Sequence, residues 1–205
     1  HEHYQGGRHI FPMMKAKIKK EIYFEKYPEV KAGIVDWPMS DLRLISKNSL
    51  DLIDLGSKII NFWDHYSDPA RQVKAFEGNS KHHTVTPIMH REGDRFILDL
   101  VLRDNNTSDE YPLGIFHPHA ELWHIKKENI GLIEVMGRAI LPGRLKGELE
   151  EVKKYLLNQD NRIADSHLDW AKKLKADSHI TKENVDQVLQ QALVEIFDQV
   201  LECAG

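Results

Sequence analysis

The stretch TVTPIMHREGDRFILDLVLR (residues 84–103) has the pattern of two strands joined by a turn. Two runs rich in β-branched and large apolar residues flank residues 91–94, a polar turn sequence that contains a glycine, and this order predicts a β-hairpin. In the second run, four apolar side chains from Phe96 to Leu102 occupy alternate positions, and Asp99 lies on the opposite face of the extended chain. This alternation predicts a strand with one buried face and one face in contact with water.

Three other runs before residue 141 are typical of strands, and one helix interrupts them. The helix is predicted from an N-cap at Ser49 to about Tyr66, and its apolar stripe would cover one face of the sheet. The strands are predicted at residues 32–37 (AGIVDW), 41–46 (DLRLIS) and 130–141 (IGLIEVMGRAIL).

The chain becomes helical after Pro142. Apolar residues recur there at the 4-3-4 spacing of an amphipathic helix, and a helix near residues 162–176 and a third helix capped by Thr181 follow. These patterns predict an α+β class: an antiparallel sheet with one helix over residues 1–141, and packed helices over residues 142–205. The length of 205 residues suits a single domain. The residues with the 4-3-4 spacing are Leu145, Leu149, Val152 and Leu156.

The composition argues against several classes of protein. Hydrophobic residues make up 41% and charged residues 29% of the sequence, which is typical of a globular protein. The formal net charge of −4 gives no overall positive field for binding nucleic acid or a membrane surface. No apolar run is long enough to cross a bilayer, and no signal peptide is recognisable. Because Cys203 is the only cysteine, no internal disulfide is possible, and we expect a cytoplasmic protein.

The opening heptapeptide HEHYQGG carries two histidines and a glutamine at alternate positions. In an extended chain, His1, His3 and Gln5 would point to the same face. Neutral imidazole can bind a metal, move a proton or attack phosphorus. The two glycines permit close backbone approach to an anion, and Arg8 adds a cation. The residues alone leave open whether this is a functional site, or a polar end or surface strand.

A second set of histidines, His117, His119 and His124, lies close together in the sequence. Pro118 favours extended backbone between the first two, so both could point the same way. Two-residue spacing is compatible with metal chelation, but the sequence identifies no further ligands for a complete tetrahedral site. Hydrogen-bonded or structural histidines are the alternative.

Charged and amide side chains follow in KKENIGLIE, residues 126–134. Lysine could bind the phosphate of a sugar phosphate while Asn129 or Glu134 binds sugar hydroxyls. An edge strand with charged flanks is the alternative.

Five stretches closely resemble the galactose-1-phosphate uridylyltransferase family, in its longer bacterial type. The resemblance covers nearly the whole chain up to about residue 145. It implies a histidine-triad-like fold and an enzyme that extends well upstream of His1, so that this chain would be the C-terminal portion. The stretches are HEHYQGG (1–7), AGIVDWPMS (32–40), HTVTPI (83–88), DLVLRDNNTS (99–108) and GIFHPHAELWHIKKENIGLIEVMGRAILPGRL (114–145).

The resemblance assigns catalysis to the motif His-x-His-x-Gln at the start of the chain. It implies that His3 attacks the α-phosphorus of UDP-glucose and releases glucose 1-phosphate, leaving a uridylyl-histidine that galactose 1-phosphate then discharges. It also implies that Gln5 donates a hydrogen bond to a phosphate oxygen. His1 would support the site, and Arg8 is a further candidate for substrate binding.

The same resemblance implies a hexose-phosphate site on a strand that carries Lys127, Asn129 and Glu134. Shorter members of the family bind metal partly through cysteines and histidines, but RFILDLVLR has no histidine and no cysteine lies near a motif. We therefore expect no metal and no cofactor. The expected partners are UDP-glucose, galactose 1-phosphate, the upstream half of the same protein and a second copy in a homodimer. The residues expected to line the pocket are His117, His119 and His124.

Two alternatives stay open. A histidine-triad-like nucleotide hydrolase or phosphorylase would use the same chemistry with water or phosphate as the acceptor. A non-catalytic assembly module would instead present the apolar stripe of the helices after Pro142 to a partner subunit.

Overall fold

The computed structural model describes residues 4–205, which form two compact units. The first unit comprises the chain up to Phe116 together with Ile130–Arg138 and Gly205. The second unit comprises His117–Asn129 and Ala139–Ala204. The α+β class predicted from the sequence is confirmed, because strands dominate the first unit and helices the second. Whether both units act as one domain stays a prediction.

The secondary-structure elements are numbered in chain order. Helices of the first unit are α1 (Pro12–Lys15), α2 (Ser49–Trp63) and α3 (Leu132–Val135), and helices of the second are α4 (Leu145–Leu156), α5 (Asp165–Asp177) and α6 (Val185–Cys203). The strands are β1 (Ile18–Ile22), β2 (Lys31–Val35), β3 (Asp41–Ser46), β4 (Phe76–Glu77), β5 (Ser80–Lys81), β6 (His83–Glu92) and β7 (Arg95–Asp104). None of the helices described over residues 4–205 has the length and apolar composition that crossing a membrane requires.

The main sheet is antiparallel and has the strand order β1-β2-β3-β7-β6. The predicted hairpin is confirmed: β6 and β7 pair from His83 opposite Asp104 to Glu92 opposite Arg95. Gly93 closes the turn with φ +61°, a left-handed conformation that glycine adopts at little cost. The hairpin places β7 between β3 and β6, so its backbone is paired on both edges.

One face of β7 was predicted to contact water, and this prediction is wrong. Asp99, on that face, is fully buried. Its carboxylate accepts two hydrogen bonds from Arg43 on β3, from Nε to Oδ1 at 2.6 Å and from Nη2 to Oδ2 at 3.0 Å. Arg43 also donates to the main-chain oxygens of Met13 and Ala16, around α1. A buried face can therefore carry a carboxylate when a bidentate guanidinium neutralises it.

Helix α2 covers the opposite face of the sheet, as predicted. Its buried residues Leu52 and Leu55 pack with the leucines of β3 and β7 in one apolar cluster. The cap was predicted one residue too late, because the side chain of Asn48 accepts the hydrogen bond from the Leu50 N–H and so precedes Ser49. The helix ends at Trp63, three residues before the predicted end at Tyr66.

The strand predicted over residues 130–141 is wrong. The segment contains the short helix α3, and Glu134 Oε2 accepts a hydrogen bond from the Gly131 N–H at 3.0 Å, which caps the first turn. Gly137 then takes φ +92°, a conformation that interrupts any extended run. The spacing of the apolar residues in this segment is compatible with a helical turn as well as with a strand. The hydrogen bond between Gly131 and Glu134 favours the helical turn.

In the second unit, the three predicted helices are confirmed as α4, α5 and α6. Val152 and Leu156 from the 4-3-4 pattern are buried in a cluster with Ala171 of α5 and with Val185 and Leu189 of α6. The cap predicted at Thr181 is three residues too early, because Asn184 occupies the N-cap position of α6. The Thr181 hydroxyl accepts from the Glu183 N–H, and its carbonyl accepts from the Val185 N–H. These helices provide the framework on which residues 117–129 are held.

Candidate active site

The described part of the opening segment lines a groove in the first unit. Gln5 and Arg8, with the two glycines between them, contribute one wall of this groove, whose volume is about 650 Å³. The end of β6, residues 90–92, contributes a second wall, and α3 contributes apolar side chains. His1 and His3 lie outside the described residues, so their roles stay predictions.

Among the described residues 4–205, those that line the groove include more cationic than anionic side chains. Arg8, Lys15 and Arg91 line it together with Glu92. Arg91 is held in place, because its Nε donates to the Gly93 carbonyl at 2.9 Å and its guanidinium carbon lies 5.2 Å from the centroid of the Phe96 ring. Exposed guanidinium and ammonium groups are the ones that bind phosphate oxygens in proteins. The groove is therefore chemically suited to an anionic ligand.

Buried titratable groups occupy the sheet face beside the groove. Both carboxylate oxygens of Asp41 are buried and have no hydrogen-bond partner among residues 4–205. Burial, reinforced by the charge of Asp99 and partly opposed by Arg43, raises the pKa of Asp41 to about 7. Asp41 is therefore partly protonated at neutral pH.

His90 links this face to the groove, since it lines the groove while both of its ring nitrogens are buried without a hydrogen-bond partner in the described chain. Burial lowers the pKa of His90, so the imidazole is neutral at neutral pH. His90 was not among the site residues predicted from the sequence. Its position two residues beyond Ile88, on the inward-facing side of β6, was the available signal.

The three residues predicted to contact hexose phosphate do not share a strand. Lys127 and Asn129 are exposed on a loop of the second unit, whereas Glu134 belongs to α3 of the first unit. Glu134 is buried, and its contact with Gly131 gives it a helix-capping role. The ammonium of Lys127 lies 4.6 Å from the centroid of the Trp123 ring, a cation–π contact.

The histidines of the second unit take different positions. His117 donates from Nε2 to the main-chain oxygen of Lys127 at 3.2 Å, which joins these two candidates. His119 precedes the short 3-10 helix Ala120–Leu122, and its carbonyl accepts from the Leu122 N–H. His124 donates from Nδ1 to the Glu121 carbonyl at 2.9 Å and lies edge-on to the buried His167, with 5.4 Å between the ring centroids.

The predicted alternative of a metal site receives no geometric support in residues 4–205, where no three histidine, cysteine, aspartate or glutamate side chains are grouped to hold an ion. The second unit instead contains a polar network that was not predicted from the sequence. His167 is fully buried, and its Nε2 lies 2.8 Å from Glu148 Oε2, which also accepts from Arg144 Nη1 at 2.6 Å.

Comparisons with known proteins agree with the motifs. A model of the galactose-1-phosphate uridyl transferase C-terminal domain matches residues 1–172. The chain is 75% identical over 205 residues to the galactose-1-phosphate uridylyltransferase of Lactobacillus helveticus, 55% identical over 206 residues to that of Lactococcus lactis, and 57% identical over 206 residues to that of Streptococcus thermophilus. Each alignment covers all of this chain but only 42% of the relative. No solved structure matches.

Proposed function

The chain belongs to the galactose-1-phosphate uridyl transferase family through its C-terminal domain, and we propose on this basis that it carries part of the active site of a uridylyltransferase. The enzyme would move a uridylyl group from UDP-glucose to galactose 1-phosphate in galactose metabolism. The main support for this proposal is the 75% identity, over the entire chain, to a protein named galactose-1-phosphate uridylyltransferase. The cationic groove beside Gln5 supports the same proposal, because both substrates are phosphate esters.

In the proposed mechanism, His3 is the nucleophile. Its neutral imidazole attacks the α-phosphorus of UDP-glucose, a P–N bond forms, and the bond from that phosphorus to the bridging oxygen breaks, so that glucose 1-phosphate leaves. A phosphate oxygen of galactose 1-phosphate then attacks the same phosphorus, the P–N bond breaks, and UDP-galactose is released. Two successive displacements let one pocket serve both sugar phosphates in turn.

Other residues would stabilise charge in these steps. Gln5 would donate to a phosphate oxygen as negative charge develops, and Arg8 would attract the phosphates. His1 would orient the nucleophile. In the hexose-phosphate site, Lys127 would bind phosphate and Asn129 a sugar hydroxyl, with His117 and His119 as pocket-lining groups. The same proposal includes His124 in the pocket and Glu134 on a hydroxyl, although the contacts of these two side chains support structural roles.

The remaining length of the relatives bears on activity. The chain spans 42% of their length, and we propose that the groups that bind the uridine nucleotide lie mainly in the rest of such a protein. We propose that residues 1–205 alone turn over negligibly, because losing the groups that orient the second reactant forfeits much of the roughly 7–11 kcal/mol available from positioning. A homodimer and a cytoplasmic location are part of the proposal.

The proposed mechanism is tested in the full-length protein that the gene encodes. UDP-glucose should leave a uridylyl adduct on His3, detected by mass spectrometry of peptides, and galactose 1-phosphate should discharge it to UDP-galactose. His3→Gly should abolish adduct and turnover without changing the thermal unfolding midpoint, whereas the control His179→Gly, at an exposed position, should keep both. Discharge by water or phosphate, but not by the sugar phosphate, would identify a hydrolase or phosphorylase instead.

A further inference from the structure

Arg144 connects the loop of the second unit to α4. It occupies the N-cap position of that helix. Its guanidinium donates from Nη1 to the His124 carbonyl at 3.1 Å and from Nη2 to the Trp123 carbonyl at 3.2 Å. It also donates to Glu148 Oε2 one turn along the helix. One side chain therefore satisfies two successive carbonyls of the loop and an anion of the helix.

Trp123 is the residue through which this connection reaches Lys127. The indole N–H of Trp123 donates to the Pro118 carbonyl at 2.7 Å, which fixes the ring within the loop. The Lys127 ammonium lies over that ring. The main chain of Lys127 is held as well, since its carbonyl accepts from His117. The position of the ammonium thus depends on where the ring and the loop main chain are held.

Glu148 holds Arg144 in turn. Burial alone would raise the pKa of this carboxylate, but the hydrogen bonds from His167 and Arg144 outweigh it and lower the pKa, so Glu148 is ionised at neutral pH. His167, fully buried on α5, fixes the carboxylate from the other side. Charge-assisted hydrogen bonds of this kind are shorter and stronger than neutral ones.

We propose that Arg144 is a positioning residue for the sugar-phosphate contact of Lys127. Arg144, held by Glu148, fixes the main chain at Trp123 and His124. The Trp123 ring, which also donates to Pro118, then holds the ammonium of Lys127 where a phosphate can bind it. This inference rests on the proposed function, because it takes Lys127 as the phosphate contact. It assigns Arg144 no direct contact with substrate.

A double-mutant cycle in the protein with all its encoded residues tests the proposal. The KM for galactose 1-phosphate is measured at saturating UDP-glucose for Lys127→Ala, Arg144→Ala and the double variant. Loss of a charge-assisted contact should raise KM roughly tenfold in Lys127→Ala, with kcat nearly unchanged. Arg144→Ala should raise KM at least about threefold, and the double variant should be no worse than Lys127→Ala, because Arg144 acts through Lys127.

Two further variants separate positioning from general stability. Arg144→Lys retains the charge without the forked geometry, so it should restore KM only in part. Lys153→Ala removes one cation and one ion pair, with Asp186, from the same helix and should leave KM unchanged. Where Arg144→Ala fails to fold, Arg144→Gln, which is shorter and uncharged but keeps an amide donor, takes its place in the cycle.

The results separate the positioning role of Arg144 from the phosphate contact of Lys127 and from the proposed uridylyl transfer. An unchanged KM in a folded Arg144→Ala, or effects of the two substitutions that multiply in the double variant, would overturn the positioning role while Lys127 stands. No effect of Lys127→Ala would remove Lys127 from the proposed site and the inference with it. Absence of uridylyl transfer in the unsubstituted protein would overturn the proposed function itself.

Discussion

The two faces of the main sheet are buried by different means. On the α2 face, leucines of β3 and β7 meet leucines of the helix, and burial of apolar area stabilises the contact. On the opposite face, the same two strands present Asp41, Arg43 and Asp99, and a bidentate ion pair makes burial tolerable. Alternation along a strand therefore shows which side chains share a face. It does not show whether that face contacts water, because a charged face can be as buried as an apolar one.

The largest expected effect is on the charged face. Arg43→Met removes the partner of a fully buried carboxylate and should lower the free energy of unfolding by about 4 kcal/mol, because Asp99 would be left uncompensated. Urea titration followed by circular dichroism measures this. The matched control is Lys47→Met, which breaks an exposed pair with Asp94 and should cost under about 1 kcal/mol. Equal losses in both variants would contradict the difference drawn between buried and exposed pairs.

The next effect concerns the apolar face. Leu52→Ala removes a fully buried side chain of α2 and should lower the free energy of unfolding by roughly 3 kcal/mol through lost transfer energy and a residual cavity. Leu50→Ala, at an exposed position of the same helix, is the control and should change stability by under about 0.5 kcal/mol. The same urea titration applies, and a loss in Leu52→Ala as small as in the control would show that α2 does not stabilise the sheet.

A smaller effect on stability is expected from the titration of Asp41, which lies on the charged face. Asp41 has a raised pKa in the folded protein, so the folded state binds its proton more tightly than the unfolded state does. The resulting stability is fully present below pH 3.8 and is lost as the pH rises through about 7. Between pH 5 and 7 the unsubstituted protein should lose about 2 kcal/mol relative to Asp41→Asn.

The comparison with Asp41→Asn is needed because His90 titrates in the opposite sense. Its lowered pKa makes stability fall as the pH drops, and both proteins retain it. Urea titrations at several pH values measure the difference, and Asp109→Asn, in an exposed loop, should follow the unsubstituted protein. Parallel pH profiles for the Asp41 variant and the unsubstituted protein would contradict a protonated Asp41.

Local patterns predicted much of the fold. The hairpin of β6 and β7, the strands β2 and β3 and the helices α2, α4, α5 and α6 were predicted from their local sequence, and Asn48 caps the start of α2. The strand β1 was missed because its three central residues are charged and exposed. The helix α3 was taken for a strand because four residues give no period, and only the Gly131 contact of Glu134 defines it.

The candidate site was less accessible to sequence reasoning. The opening motif and Lys127 were identified by resemblance, whereas Arg43 pairs with a residue 56 positions away, and Glu148 with one 19 positions away. No local pattern encodes such pairs, because they depend on which elements become neighbours. In both units, the buried polar networks are consequently the features that were not predicted.

The division of the chain into two units has a consequence for how the molecule can be cut. The backbone passes from one unit to the other after Phe116, Asn129, Arg138 and Ala204, and the last residue, Gly205, returns to accept a hydrogen bond from the Ser40 hydroxyl. No single peptide cleavage can therefore release either unit as an uninterrupted polypeptide. Each unit consists of segments that are distant along the chain. Folding of one unit therefore closes loops of chain that belong to the other unit.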